Sequence, residues 1–394
     1  MISFDDALAL VKVAALPLGP ETVALGDAHG RILAAPCIAQ ITSPAGDVSA
    51  MDGYALRDQD LSLSTPFEVV GTAFPGTPFE GTVRLLECVR VFTGALIPGG
   101  ADRVVVQEEV QRDGSLATML HPSTARRHIR QAGLDFAAGD ALLPAGRRLD
   151  PQAIVAAAGA DLDELEVWRR PRISILGTGD ELLPPGSARL RRFAIPESIS
   201  YGVAALAETW GAQIIGRHRI SDDIATITHA AGEAARSADL VIMTGGASVG
   251  ERDFSKQAFI GLGAEILFPR VLMKPGKPVW FGRLGTTLVL GLPGNPSSAM
   301  VTARLFLTTL LAGLTGREPS HALQWRRARL ASPLPSTGVR ETFLRAYADP
   351  DGIVKVDNQD SGMQLELANA TLLVRQTPNS PALAAGEMVD VIDF

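Results

Sequence analysis

The feature that most constrains this chain lies in its second half, where the residue pattern changes at Pro171. From there short apolar runs alternate with stretches of helical periodicity. RISIL is followed by a helical stretch to Trp210, then QIIGRHRI, a helix from Asp222 to Ala238, DLVIM and a helix to Gly261. EILF, VWFG, TTLVL and a closing helix to Leu314 complete the series. Strands alternating with helices over about 145 residues predict a three-layer α/β domain with a mostly parallel sheet.

The rest of the chain has a different pattern. Between about 40 and 145, FEVVG, ECVRVF, DRVVVQEEV and LATML are separated by turn sequences such as PGTP, PGGAD and RDGS, which predicts a mostly-β domain. Its flanks carry short apolar stretches and one helix, PQAIVAAAGA, with Pro in its first turn. A β domain interrupting another unit explains that bracketing. RARLA, ETFLRAYA, GIVKVDN, TLLVRQ and MVDVIDF then predict a C-terminal β barrel or sandwich. The expected organisation is an N-terminal helix over 1–20, a discontinuous linking domain over 21–45 and 141–170, and a β-rich inserted domain over 46–140. The α/β domain follows over 171–320 and the C-terminal β domain over 321–394. In the N-terminal segment Phe4, Leu8, Val11 and Leu16 recur at helical spacing. Acids near its start, with no basic region before them, favour an amphipathic helix over a signal peptide.

A net charge of −7 argues against a nucleic-acid surface, because neutralising phosphates requires a basic stripe. The clusters Arg126–Arg130, Arg169–Arg172 and Arg189–Arg192 read as solvated faces or loops. No run of 18 apolar residues suggests a membrane span. The two cysteines, Cys37 and Cys88, are too few for a disulfide framework or thiolate metal site and read as small buried hydrophobes. The expected setting is the reduced, aqueous cytoplasm.

Three loops leave the carboxyl ends of the α/β strands: Gly177–Glu181, Gly245–Asp253 and Leu292–Pro296. Ligands of open parallel sheets bind outside those ends. The first loop begins like a dinucleotide fingerprint, but Leu182 stands at the third glycine, and no GxxxxGK[ST] occurs. A Rossmann dehydrogenase and a P-loop nucleotidase are therefore disfavoured. The scattered histidines and the absence of GxSxG disfavour a zinc hydrolase and an α/β-hydrolase.

In the second loop Gly245, Gly246 and Gly250 let backbone N–H groups approach an anion, with Ser248 as a further donor; the alternative is a ligand-free glycine turn. FPRVLMKPGKP holds Arg270, Lys274 and Lys277 on a backbone stiffened by proline, either as a receptor for a dianion or as a solvated basic loop. Against these cations stand Asp180, Glu181, Asp253 and Asp135, with Asp222 and Asp223 opening a helix. Two bare carboxylates about 4 Å apart repel by about 4 kcal/mol at an effective dielectric near 20. Convergent acids therefore call for a cation, and Mg²⁺ suits oxygen ligands. Asp222 and Asp223 have the alternative role of stabilising a helix first turn. In the β domain, Asp52-Gly53 within SAMDGYA and Thr93-Gly94 are candidate site loops or plain turns.

Taken in order, SAMDGYA, TGA (Thr93–Ala95), TGDEL (Thr178–Leu182), GGASVGERD, MKPGKP and GLPGNP, with SGM and LANA between Ser361 and Ala370, resemble the molybdopterin molybdenumtransferases of the MoeA type, which include the E domain of gephyrin. The resemblance spans essentially the whole chain. It implies a four-domain, elongated homodimer with each active site between the α/β domain of one subunit and the β domain of the other. Thr178, Gly179, Asp180, Gly245, Gly246, Ser248 and Gly250, with Pro293, Gly294, Asn295 and Pro296, would hold the pterin and nucleotide phosphate. Asp52, Thr93 and Asp135 would reach in from the partner. Glu181, Asp222 and Asp253 would organise Mg²⁺ and the substrate, Arg270, Lys274 and Ser361 would help bind molybdate, and Lys277 would join the cofactor-binding set.

The implied reaction converts molybdate and adenylylated molybdopterin into molybdenum-molybdopterin and AMP. Implied partners are the molybdopterin adenylyltransferase and recipient molybdoenzymes or their chaperones, with neither nucleic acid nor membrane. Four positions depart from the family pattern. IPESISYGV (Ile195–Val203) replaces an Asn-containing segment, Arg270 stands where Lys is usual, Leu134 where an acid is common, and LLVRQTP replaces a continuing apolar run. Two other readings compete: a carrier that binds molybdopterin or finished cofactor without inserting metal, and the adenylyltransferase itself, whose chain resembles only the α/β domain.

Overall fold

The computed structural model describes residues 1–61, 65–120, 125–245 and 254–394. The chain divides into two units, one formed by Met1–Glu21 with Val167–Phe394 and the other by Thr22–Glu166.

The larger unit is built on a six-stranded sheet. Its spatial order is Gln213–Ile220, Arg172–Thr178, Leu240–Thr244, Thr287–Leu292, Trp280–Leu284 and Glu265–Phe268. The first four strands are parallel, and Trp280–Leu284 runs antiparallel to both its neighbours. Successive side chains point to opposite faces of a strand, and both faces here are covered. Ile173, Ile175, Leu240, Ile242, Leu288 and Leu290 join one core with Val203, Phe306 and Leu310. Leu176, Val241, Met243 and Val289 join the other with Ile227, Ala231 and Phe259. Helices Ile199–Thr209 and Pro296–Leu314 thus form one layer and Ile224–Ser237 and Phe254–Gly261 the opposite one. This is the expected three-layer α/β arrangement. The continuous apolar runs of its strands follow from burial on both faces.

Pro296–Leu314 is long and apolar enough to cross a membrane, with mean hydropathy 1.4, but 89% of it is buried inside the protein. It is a core helix. The N-terminal helix, Phe4–Ala14, is capped by Ser3, whose hydroxyl accepts from the Asp6 N–H at 3.1 Å, and it buries Phe4, Leu8 and Val11 in the first core. Leu16 departs from the expected helical stripe: it follows the last helical turn, next to Pro17, and is 67% exposed.

A second six-stranded sheet, with its own core of Leu330, Ala346, Val374 and Val391, forms the C-terminal part of this unit. Its edge strand, Met273–Lys274, comes from the MKPGKP segment and pairs in parallel with Glu341–Asp349. The smaller unit holds a six-stranded sheet in the order Arg103–Val106, Gly53–Leu56, Glu87–Val91, Pro66–Ala73, Leu116–Met119 and Val110–Asp113. Tyr54, Leu56 and Cys88 pack on one face of it; Ala55, Val89 and Val91 pack on the other. Cys37 and Cys88 are buried free thiols, as expected, and burial pushes the Cys88 thiol up to about 12.

Candidate active site

The order of the parallel strands sets the position of the site. The chain runs from Arg172–Thr178 to a neighbour on one side, Gln213–Ile220, and then to one on the other, Leu240–Thr244. At such a reversal the following connections diverge and leave a crevice at the carboxyl ends. A cavity of about 420 Å³ lies there, lined by Thr178, Gly179, Glu181, Asp222, Thr244, Gly245, Gly294, Asn295 and Pro296, among others. Eight of these nine are residues singled out from sequence; Thr244, one residue before Gly245, is the ninth.

Gly245 makes the close approach of two strand ends possible. Its φ is +83°, and a Cβ there would lie 2.2 Å from the Thr178 carbonyl oxygen. Only glycine meets both demands.

The two adjacent aspartates of the Asp222–Ala238 segment separate into distinct roles. Asp223 is the helix N-cap: its carboxylate accepts from the Thr226 N–H and hydroxyl, both at 2.8 Å, and these bonds hold its pKa below the usual value. Asp222 instead faces the cavity. Desolvation raises its pKa, and the nearby charges of Asp180 and Glu181 add to the rise. The Thr178 hydroxyl acts in the opposite direction, although it is buried without a hydrogen bond of full geometry. Asp180 does not line the cavity; its carboxylate accepts from the Asp222 N–H at 3.3 Å.

The oxygen donors fit a partly hydrated Mg²⁺, which takes one or two carboxylates and keeps several waters. Glu181 and Asp222 share the cavity wall, and the Asp222 carboxylate is desolvated by burial beside the charges of Asp180 and Glu181, a setting that a bound cation would relieve. Among the described residues no three His, Cys, Asp or Glu side chains converge on one point. Asp253, the third expected ligand, lies outside the described residues, as do Gly246, Ser248 and Gly250.

The other expected residues fall into three groups. Ser361 reaches the site edge: the Asn295 side-chain amide donates to its hydroxyl at 2.7 Å, and its carbonyl accepts from the Ser297 N–H at 3.0 Å. Pro293 is buried beneath the cavity loop. Arg270, Lys274 and Lys277 do not line the cavity; Lys274 is exposed on the edge strand, and the Lys277 carbonyl closes the loop by accepting from the Val271 N–H at 3.1 Å. In the smaller unit Asp52 and Thr93, 41 residues apart, are joined. Asp52 Oδ1 accepts from both the N–H and the hydroxyl of Thr93, each at 2.8 Å, which lowers the Asp52 pKa. Asp135 is exposed in the same unit, on a segment held by its N–H to the Ser43 carbonyl at 3.1 Å.

Sequence reasoning missed several contributors. Pro196, Glu197, Ser198 and Ile199, within the divergent IPESIS segment, form part of the cavity wall. Glu197 is buried and accepts from the Ser200 N–H at 2.8 Å and hydroxyl at 2.5 Å, fixing the start of helix Ile199–Thr209. The signal was the departure of this segment from the family pattern. Arg345, 1% exposed, donates to Ser297 Oγ at 2.6 Å and to the carbonyls of Asn358, Asp360 and Met363. Its signal was a charge in the middle of the otherwise uncharged run TFLRAYA.

Comparison with known proteins agrees with this geometry. Residues 2–160 match the MoeA N-terminal region (domains I and II), 174–313 a "Probable molybdopterin binding domain", and 327–394 the MoeA C-terminal region (domain IV). The molybdopterin molybdenumtransferase of Haemophilus influenzae is 32% identical over 407 aligned positions, covering 100% of this chain and 99% of that protein. The chain belongs to the molybdopterin molybdenumtransferase family. It is accordingly a transferase of molybdenum cofactor biosynthesis. The Synechococcus elongatus molybdopterin molybdenumtransferase is 33% identical, with 99% of both chains covered. The crystal structure of a molybdopterin biosynthesis MoeA protein from Pyrococcus horikoshii superposes with a TM-score of 0.85 at 25% identity, covering 100% of both chains.

Proposed function

We propose that the chain inserts molybdenum from molybdate into adenylylated molybdopterin and releases AMP, in a Mg²⁺-dependent cytoplasmic reaction. We propose further that it works as a homodimer in which Asp52, Thr93 and Asp135 of one subunit complete the site of the other. The observation that carries this reading is the cavity at the strand reversal, where Gly245 and the Gly294–Asn295 turn meet Glu181 and Asp222.

Each residue set has a role in that reaction. The Gly245 and Gly294 backbones lack side chains and admit a phosphate close to the strand ends. Mg²⁺ held by Glu181, Asp222 and Asp253 would neutralise charge on the phosphoanhydride and on the departing AMP. Arg270 and Lys274, which lie outside the cavity wall, would supply positive charge for the molybdate oxyanion beside it, with Ser361 as a hydroxyl donor. Arginine at 270 keeps the charge of a lysine but presents it as a planar fork. The two buried cysteines have no part in metal transfer, because the substrate's own dithiolene supplies the sulfur ligands.

The test is AMP release from adenylylated molybdopterin with Mg²⁺, with and without molybdate. Molybdate-dependent release, with a product that reconstitutes an apo-molybdoenzyme, supports the proposal. Glu181→Ala and Asp135→Ala should fold and release no AMP. Tight pterin binding by the unaltered chain without AMP release would replace insertion with the carrier reading.

A further inference from the structure

The site cavity has a neighbour in the same unit. A second cavity, of about 400 Å³, lies between helices Ile199–Thr209, Pro296–Leu314 and Gln364–Asn369, beside the terminal Phe394. Ser198, Ile199, Pro296 and Gln364 line both spaces, so the two are arms of one cleft. Their chemistry differs. The first arm holds Glu181, Asp222 and the glycine turns. The second is walled mainly by apolar side chains, among them Leu206, Met300 and Leu367. Arg304 is set into this wall, tied to the surrounding chain by donating to the Asp393 carbonyl at 2.7 Å and the Ala322 carbonyl at 3.0 Å.

A Cβ at Gly202 would lie 3.0 Å from Met300 Sδ. Glycine at 202 therefore lets the Met300 thioether lie close against the facing helix, in the wall of the apolar arm. Two neutral polar side chains mark the junction of the arms. Gln364 Nε2 donates to Ser198 Oγ at 3.3 Å. A carboxamide nitrogen carries two protons and its oxygen two acceptor positions. One Nε2 proton is therefore left over, and among the described residues Oε1 accepts no hydrogen bond.

We propose that the apolar arm is the subsite for the adenine base of the adenylylated substrate and of AMP, with Gln364 reading its N6 and N7 atoms. A carboxamide pairs with adenine in that way, donating to N7 and accepting from the N6 amino group. Apolar walls with a few placed polar groups suit a flat ring, and a thioether is a favourable neighbour for a π-system. The pterin, the other ring of the proposed substrate, carries more donors and acceptors than these two side chains satisfy, and burying them unpaired is costly. The connection between the arms agrees. Pro296 lines both and stands just beyond Gly294, where the phosphate is proposed to bind. Ile199, in the divergent IPESIS segment, gives the passage an apolar side. The subsite rests on the proposed function for its nucleotide, but base recognition can be measured without turnover.

The test titrates the full chain, with Mg²⁺ present, with AMP, IMP and ribose 5-phosphate by isothermal titration calorimetry. IMP carries a carbonyl in place of the N6 amino donor, and ribose 5-phosphate lacks the base. AMP should bind about tenfold more tightly than IMP. Gln364→Ala should erase that preference. Leu206→Trp, which fills the arm, should weaken AMP to the level of ribose 5-phosphate and leave ribose 5-phosphate itself unchanged. Circular dichroism of each variant checks its fold, and the exposed Gln364 can be replaced without uncovering a core. Absence of saturable AMP binding, equal affinity for AMP and IMP, an unchanged preference in Gln364→Ala, or full AMP affinity in Leu206→Trp would overturn the subsite. AMP release from the adenylylated substrate separates the two ideas. An inactive unaltered chain that still prefers AMP to IMP removes the proposed reaction and leaves the base site standing. An active chain without that preference removes the subsite alone.

Discussion

The Asn295 side-chain amide donates to the Ser361 hydroxyl at 2.7 Å, joining the turn after strand Thr287–Leu292 to a loop 66 residues further along the chain. Behind this pair stands Arg345, which gathers three carbonyls of the 358–363 segment and the Ser297 hydroxyl. Asn295 thus meets Ser361 because a buried arginine holds the loop that carries it. Burial lowers the Arg345 pKa, and the charges of Glu366 and Asp360 oppose that effect without restoring the ordinary value.

Replacing Arg345 with Met removes the charged donor to the Asn358 and Asp360 carbonyls, while the Met363 carbonyl keeps the Ser297 hydroxyl at 3.1 Å. A hydrogen bond to a charged group contributes about 1.5–3 kcal/mol, so a loss of about 3 kcal/mol is expected in urea denaturation. Ser361→Ala removes only one exposed hydrogen bond and should change stability by less than about 1 kcal/mol. If Ser361 binds substrate as proposed, that variant should still raise KM. Equal stability of Arg345→Met and the unaltered chain would disprove the supporting role of Arg345.

Gly245→Ala should abolish turnover while preserving the secondary structure seen by circular dichroism. The added methyl would lie 2.2 Å from the Thr178 carbonyl oxygen, at a φ of +83°. Relief requires the two strand ends to separate where the phosphate is proposed to bind. A fall in kcat/KM of at least about 100-fold is expected, as for a displacement of about 1 Å at a catalytic centre.

Asp222 should make the metal-free protein less stable as pH rises. Its folded-state pKa lies above the ordinary 3.8, so the folded protein holds the proton more strongly than the unfolded chain. Stability therefore falls as pH climbs from about the ordinary value through the raised one, and the full penalty persists above it. Asp222→Asn should be the more stable protein at pH 7 without Mg²⁺, with the advantage vanishing at acid pH. Adding Mg²⁺ should raise the Tm of the unaltered chain more than that of the variant. A variant advantage that does not depend on pH would contradict the assignment.

Asp239 should show the opposite dependence. Burial pushes its carboxyl up, but hydrogen bonds from Arg169 at 2.9 and 3.0 Å and from the Arg172 N–H at 2.7 Å, with both guanidinium charges, lower it overall. Its contribution is present above the ordinary carboxylate value and disappears as pH falls through the lowered one. Asp239→Asn should cost about 1–3 kcal/mol at pH 7, a range reduced for solvent screening of the partly exposed arginines. Thermal melts of both proteins should converge in strong acid.

The larger features were legible in the sequence because their physics is local. RISIL and DLVIM read as buried strands because both faces are covered. The site loops stood out because glycine and acidic residues follow directly on those apolar runs. Contacts between distant segments were not legible. Nothing local ties Gln364 to Ser198, whose side chains meet at 3.3 Å across 166 residues, or Arg345 to the carbonyls of a later loop. The apparent helical stripe reached Leu16 because spacing alone does not register the stop imposed by Pro17. Asp222 and Asp223 looked interchangeable because capping and ligand binding select the same residue type.

The strand order of the α/β sheet has a consequence for when the site exists at all. Thr178, Thr244 and the turn after Leu292 are far apart in sequence, and they become neighbours only when three central strands have docked side by side. Their floor is laid on Ile175, Ile242 and Leu290, each fully excluded from solvent. Such amides exchange with water only through the largest openings of a protein. The crevice is therefore a product of long-range assembly and persists as long as the core does, so accommodation of different ligands must come from the loops around its rim.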